Sequence, residues 1–135
     1  MVSRKEHQDF SECHYRVAKN FHQKGIHASD DLTKLTYLSS AVEHLLVSDD
    51  HLLNAFMYPN EFKSRRARHD SYEKNRKIRG MPKIVAYPSS VNVLRDRMLY
   101  LFGEKSIKEV LNTTESKLTE IFRRAEYVRN LIRKI

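Results

Sequence analysis

Eight basic side chains crowd one short stretch of the chain, residues 61 to 80 (EFKSRRARHDSYEKNRKIRG). They are Lys63, Arg65, Arg66, Arg68, Lys74, Arg76, Lys77 and Arg79, set against only Glu61, Asp70 and Glu73. Cations at that density neutralise phosphates and release their counterions, and each contact steepens the log–log salt dependence of binding by about one unit. Phe62 and Tyr72 within the stretch, and Tyr87 just beyond it, supply rings that can stack on unpaired bases. A second set of cations, Lys117, Arg123, Arg124, Arg129, Arg133 and Lys134, falls in the last nineteen residues, opposite an apolar seam. These residues are the candidate polyanion contacts. The competing account of both sets is a solvated surface, with the terminal cations complementing the negative end of a helix dipole.

Other residue types that carry chemistry are poorly arranged for it. Six of seven histidines lie in the first half, at 7, 14, 22, 27, 44 and 51. No two are three or four residues apart, the spacing that places two ligands on adjacent helical turns. His44 and His51 share a face but stand about 10 Å apart along a helix. Cys13 has no second cysteine to complete a site, and its position on an apparent apolar helix face suits a small buried hydrophobe. Asp30-Asp31 and Asp49-Asp50 read as helix caps rather than acid–base pairs. The three glycines stand alone, so no phosphate-cradling loop is present. The reading is a non-enzymatic binding protein with no metal, cofactor or small-molecule substrate.

Those side chains need a scaffold, and composition bounds it. The chain has 135 residues, 40% hydrophobic and 31% charged, with three Gly and three Pro. That suits one helical domain and argues against a turn-rich β architecture. No apolar run approaches a membrane span, and the charged N-terminus lacks the apolar core of a signal peptide, so an intracellular, cytoplasmic or nuclear, protein without membrane contact is expected. The net charge of +8 is uneven: residues 1–58 carry six Lys/Arg and eight Asp/Glu, and residues 59–135 carry nineteen and nine. A basic half of this kind points to an anionic partner.

The hydrophobic pattern predicts an all-α fold, a bundle of four to five helices with an exposed basic segment and a long C-terminal amphipathic helix. Within one domain, 1–58 forms an N-terminal helical unit, 59–88 a basic and extended connector, and 89–135 a C-terminal helix pair. Ser3 and Glu6 have capping-box spacing, so helix one spans about Arg4 to Lys24, with Phe10, Cys13, Val17 and Phe21 on its apolar face and Gly25 ending it. Ser29-Asp30-Asp31 caps a second element striped with Leu32, Leu35, Leu38, Val42, Leu45, Leu52 and Phe56. It is either one long helix or two broken near Val47, where Ser48-Asp49-Asp50 could cap anew. Residues 61–80 form an exposed basic helix or a loop. Met81 to Pro88 reads as an extended connector with one edge strand. Ser89 or Ser90 then caps a helix bearing Val91, Leu94, Met98 and Leu101, which Gly103 ends, and Ser106 to Glu109 opens the last helix.

From Ile107 the pattern Ile107, Leu111, Thr114, Leu118, Ile121, Ala125, Val128, Ile132 and Ile135 alternates by four and three over four heptads. Such a seam packs in a bundle or pairs with a partner helix or a second copy, through Ile107, Leu111, Leu118, Ile121, Val128 and Ile132. The same region resembles the helix-turn-helix pattern of DNA-binding domains, with Asn112 at the turn and Glu115 to Ala125 as recognition helix. That resemblance implies base reading by Lys117, Arg123 or Arg124; a continuous helix is the competing reading. The clusters KSRRAR and KNRKIR also resemble a nuclear-import signal. Two function classes follow: nucleic-acid binding, DNA or RNA, through the basic surfaces, or a helical interaction module, a homodimer included, using the 107–135 seam.

Overall fold

A computed structural model describes residues 2–57, 81–101 and 103–133, with side chains described for 2–56, 91–101 and 103–130. Four helices account for nearly all of it: α1 (Arg4–His27), α2 (Asp31–Met57), α3 (Met81–Tyr100) and α4 (Ile107–Arg133). No strand occurs among the described residues, and the fold is all-α. The basic segment 61–80, with Phe62 and Tyr72, lies outside the described residues, as do the side chains of Tyr87 and Ile132.

α2 is the hub. It packs against α1, α3 and α4, and α3 packs against α4. The core is built on α2 through Leu35, Leu38, Val42, Leu45, Leu46 and Leu53, on α3 through Val91, Leu94 and Met98, and on α4 through Val110, Leu118, Phe122 and Val128. α2 continues through the Ser48-Asp49-Asp50 triplet without a break. Capping is the role of Asp30, whose carboxylate accepts the Thr33 amide at 2.8 Å; Ser48 and Asp49 are buried instead.

α1 turns a different face inward from the one its apolar residues suggest. Ser3 caps it as expected, accepting the Glu6 amide at 3.1 Å. The buried positions, however, are His7, Ser11, Tyr15, Ala18, His22 and Gly25. Phe10, Val17 and Cys13 are exposed. The reason is the small-residue heptad Ser11, Ala18 and Gly25, which lets α1 approach α2 closely. A Cβ placed on Gly25 would stand 2.5 Å from Leu38 Cδ2. Gly25 therefore serves close packing, and α1 runs past it to His27.

Residues 81–88 are helical from the start of α3 rather than extended. Pro82 sits in the first turn, where a missing N–H costs nothing; Pro88 lies inside the helix and deprives it of one backbone bond, yet the helix continues through it to Tyr100. At the other end Leu101 takes a left-handed conformation (φ 57°), followed by Gly103 (φ 72°). Leu101 is thus a turn residue and not part of the core. Ser106 accepts the Glu109 amide at 3.1 Å and opens α4.

α4 is continuous through Asn112, which overturns the helix-turn-helix reading of 106–127. Thr114 is fully buried, and its hydroxyl donates to the Val110 carbonyl at 2.6 Å, a bond available only inside a helix. The heptad seam is also occupied. Leu111, Leu118, Ile121 and Val128 are buried in the chain's own core, and Ile107 packs against it. A partner helix on that seam would have to displace α2 and α3.

Candidate functional site

The basic face of α4 meets α3 in a cleft of about 530 Å³, lined by Val93, Leu94 and Arg97 of α3 and by Lys117, Glu120, Ile121 and Arg124 of α4. The α4 residues recur at intervals of three and four, so one helical stripe forms that wall. Leu94 and Ile121 are core residues that make an apolar floor, and Val93 at the rim is exposed. Three cations and one carboxylate surround that floor.

The cations differ in how firmly they are held. Arg97 is committed: its guanidinium donates to Glu104 at 2.8 Å and to the Thr113 hydroxyl at 3.1 Å. Arg124 is held loosely, 3.6 Å from Glu120 one turn away, with both side chains more than half exposed. Such a pair contributes about 0.3–0.5 kcal/mol, less than a charge-assisted bond to a phosphate. Lys117 and Arg123 are exposed and have no partner among the described residues. Lys117 and Arg124 can therefore turn to an anionic ligand at little cost, while Arg97 keeps the cleft's shape. Arg123 lies on the exposed side of α4, outside the cleft lining.

Arg129 does not belong to this surface. It is 1% exposed and pairs with Asp49 of α2 at 3.0 Å. It also donates to the Ser48 hydroxyl and to the Ala125 carbonyl, and lies 4.1 Å from the centroid of the Tyr15 ring. Tyr15 in turn donates its hydroxyl to Glu126. Burial and that carboxylate push the phenol's pKa well above its ordinary value. Ser48 and Ser11 lock α2 to α1 through reciprocal bonds to each other's carbonyls at 2.7 and 2.8 Å. Arg129 is the anchor of α4 in the core, and a phosphate cannot reach it.

Two further groups escaped the sequence reading. Arg97 was hidden in a segment read for its apolar spacing alone. The histidines face each other across α1 and α2: His7 meets His51 with Nδ1 atoms 3.1 Å apart, and His14 meets His44 at 2.9 Å. The matching seven-residue intervals, 7 to 14 and 44 to 51, were the available signal, because antiparallel helices bring equal intervals into register. Among the described residues, no group of three or more His, Cys, Asp or Glu is placed to hold a metal ion, and no helix is long and apolar enough to cross a membrane.

Comparisons with family models, with curated proteins and with solved structures found no match.

Proposed function

We propose that the protein binds nucleic acid without catalysing a reaction, and that the α3–α4 cleft is where the described part of the chain meets the phosphate backbone. The observation that carries this reading is the pairing of Lys117 with the loosely held Arg124 on the rim of one cleft. Both belong to the half of the chain that holds nineteen of its 25 Lys and Arg residues. Eight further cations, at residues 63–79, shortly precede α3 in the sequence. The ligand is engaged through its phosphates, because the base-reading role rested on a helix-turn-helix that a continuous α4 excludes.

Fluorescence anisotropy with single- and double-stranded DNA and RNA, from about 50 to 200 mM salt, tests the reading. The intact chain should bind with a log–log slope equivalent to several phosphates. Lys117→Ala with Arg124→Ala should reduce that slope by about two units, and replacing the eight central cations should reduce it further. No binding at the lowest salt overturns the proposal. A slope unchanged in the double variant removes the cleft from it.

A further inference from the structure

The α1–α2 seam carries a histidine arrangement that polyanion binding does not use. His14 and His44 sit half-buried at one rung, rings stacked with centroids 5.2 Å apart and interplanar angle 24°. Their Nδ1 atoms converge to 2.9 Å. Phe10 closes one side, its ring edge-on to His14 at 4.7 Å, and Phe21 the other, stacked on His44 at 5.6 Å. His51 lies beyond, parallel to His14 at 6.4 Å, and bonds to the more deeply buried His7.

Two imidazole nitrogens this close must share a proton, one Nδ1–H donating to the lone pair of the other. Move that proton to Nε2 of the same ring, and two Nδ1 lone pairs face each other across the gap between the helices; a turn of the rings about the Cβ–Cγ bonds aims both at one ion beside the N···N line. Neither ring changes its charge, so no co-reactant is needed. A cation about 2.05 Å from each nitrogen would see them at an angle of about 90° when they are 2.9 Å apart. That is the angle between neighbouring positions of a tetragonal site, the preference of Cu2+ and Ni2+. Tetrahedral Zn2+ needs its nitrogens about 3.3 Å apart. Phe10 and Phe21 supply the apolar walls that shield such a site and strengthen its bonds.

We infer that His14 and His44 form a two-histidine site for a divalent tetragonal cation, Cu2+ before Ni2+, bridging α1 and α2 with water in the remaining positions. Two protein ligands make this a site of modest affinity, and copper's place at the top of the divalent series makes it the preferred occupant. The His7–His51 rung offers similar nitrogens, but His7 is 4% exposed, which denies a metal there its waters. The inference is independent of the α3–α4 cleft.

The test is a Cu2+ titration of the full chain near neutral pH, followed by electron paramagnetic resonance. One equivalent should bind with superhyperfine splitting from two imidazole nitrogens. His14→Asn and His44→Asn should each weaken binding by at least about tenfold, and His27→Asn, at the exposed end of α1, should leave it unchanged. Equal binding by His44→Asn and the parent, or a spectrum from a single nitrogen, overturns the site. The intact chain gives a readout that needs no variant to fold: substoichiometric Cu2+ should broaden the ring-proton signals of His14 and His44 before those of His22 and His27. Broadening that begins elsewhere overturns the inference.

Discussion

Replacing Arg129 with Met should unfold the protein at a markedly lower denaturant concentration, and the size of the effect follows from what the side chain leaves behind. Arg129 and Asp49 are 1% and 3% exposed. With the guanidinium gone, the Asp49 carboxylate loses its 3.0 Å partner in a site closed to solvent. Breaking a buried pair in this way costs about 3–5 kcal/mol. The Ser48 and Ala125 acceptors and the Tyr15 ring lose a donor or a cation as well. Against a total stability of about 5–15 kcal/mol, the loss is a large fraction of the whole. It corresponds to a fall in melting temperature of about 10–20 °C. Urea unfolding monitored by circular dichroism measures it. The second arm of the cycle is the double variant Asp49→Leu, Arg129→Met. Removing both charges leaves no buried carboxylate deprived of its guanidinium, so the double variant should be more stable than Arg129→Met alone. A single variant within about 1 kcal/mol of the parent would refute the reasoning, as would a double variant whose loss equals the sum of the two single losses.

Gly25→Ala places a Cβ 2.5 Å from Leu38 Cδ2; the overpacking should cost about 1–3 kcal/mol in the same urea assay, outweighing the better helix propensity of alanine. Acid should also destabilise the fold: burial, joined for His14 by the charge of His44, holds His14 and His22 below the ordinary 6.5. The unfolded chain therefore binds protons at these sites first. Their contribution is whole above pH 6.5 and is lost as pH falls through the lowered folded values. The urea midpoint should drop between about pH 7.5 and 5.5, and His22→Phe should flatten that slope; a midpoint that rises on acidification contradicts the assignment. Loss of Lys117 and Arg124 should lower the salt slope of the proposed nucleic-acid binding while leaving the unfolding free energy within about 0.5 kcal/mol of the parent.

Fold class was legible because apolar periodicity reports directly on helices. Ser3, Asp30 and Ser106 each cap where their spacing to the first helical turn says they should. What misled was the assumption that the most apolar face is the buried one. On α1 the inward face holds Ser11, Ala18 and Gly25, chosen for size, while Phe10 and Val17 remain outside. Asp49 and Arg129 present the same difficulty in charge: they are 80 residues apart and look respectively like a cap and a surface cation. Only their placement across α2 and α4 makes them a pair. The cleft was half legible, since Lys117 and Arg124 belong to a visible basic face, whereas Arg97 joins them through the turn at Leu101 and Gly103, which no spacing within α3 announces.

The buried polar groups have a consequence for the cleft. Apolar seams tolerate sliding, because one leucine substitutes for the next along the helix. Ser11 and Ser48, by contrast, satisfy each other's carbonyls in one register of α1 on α2, and Arg129 finds Asp49 in one register of α4 on α2. A slip of α4 by one turn, about 5.4 Å, would bury an unpaired guanidinium and also carry Lys117 and Arg124 away from Arg97. The ion pair that adds little net stability over an apolar core therefore fixes the height of α4 on α2, and together with the Arg97–Thr113 bond between α3 and α4 it sets the relative height of the two cleft walls. Arg129→Met combined with Asp49→Leu should accordingly fold well yet bind nucleic acid with a shallower salt slope than the parent, because the cleft's cations no longer hold one register. Equal stability with an unchanged slope would show that the apolar contacts of Leu118, Ile121 and Phe122 with the rest of the core and the Arg97–Thr113 bond set that register without the ion pair.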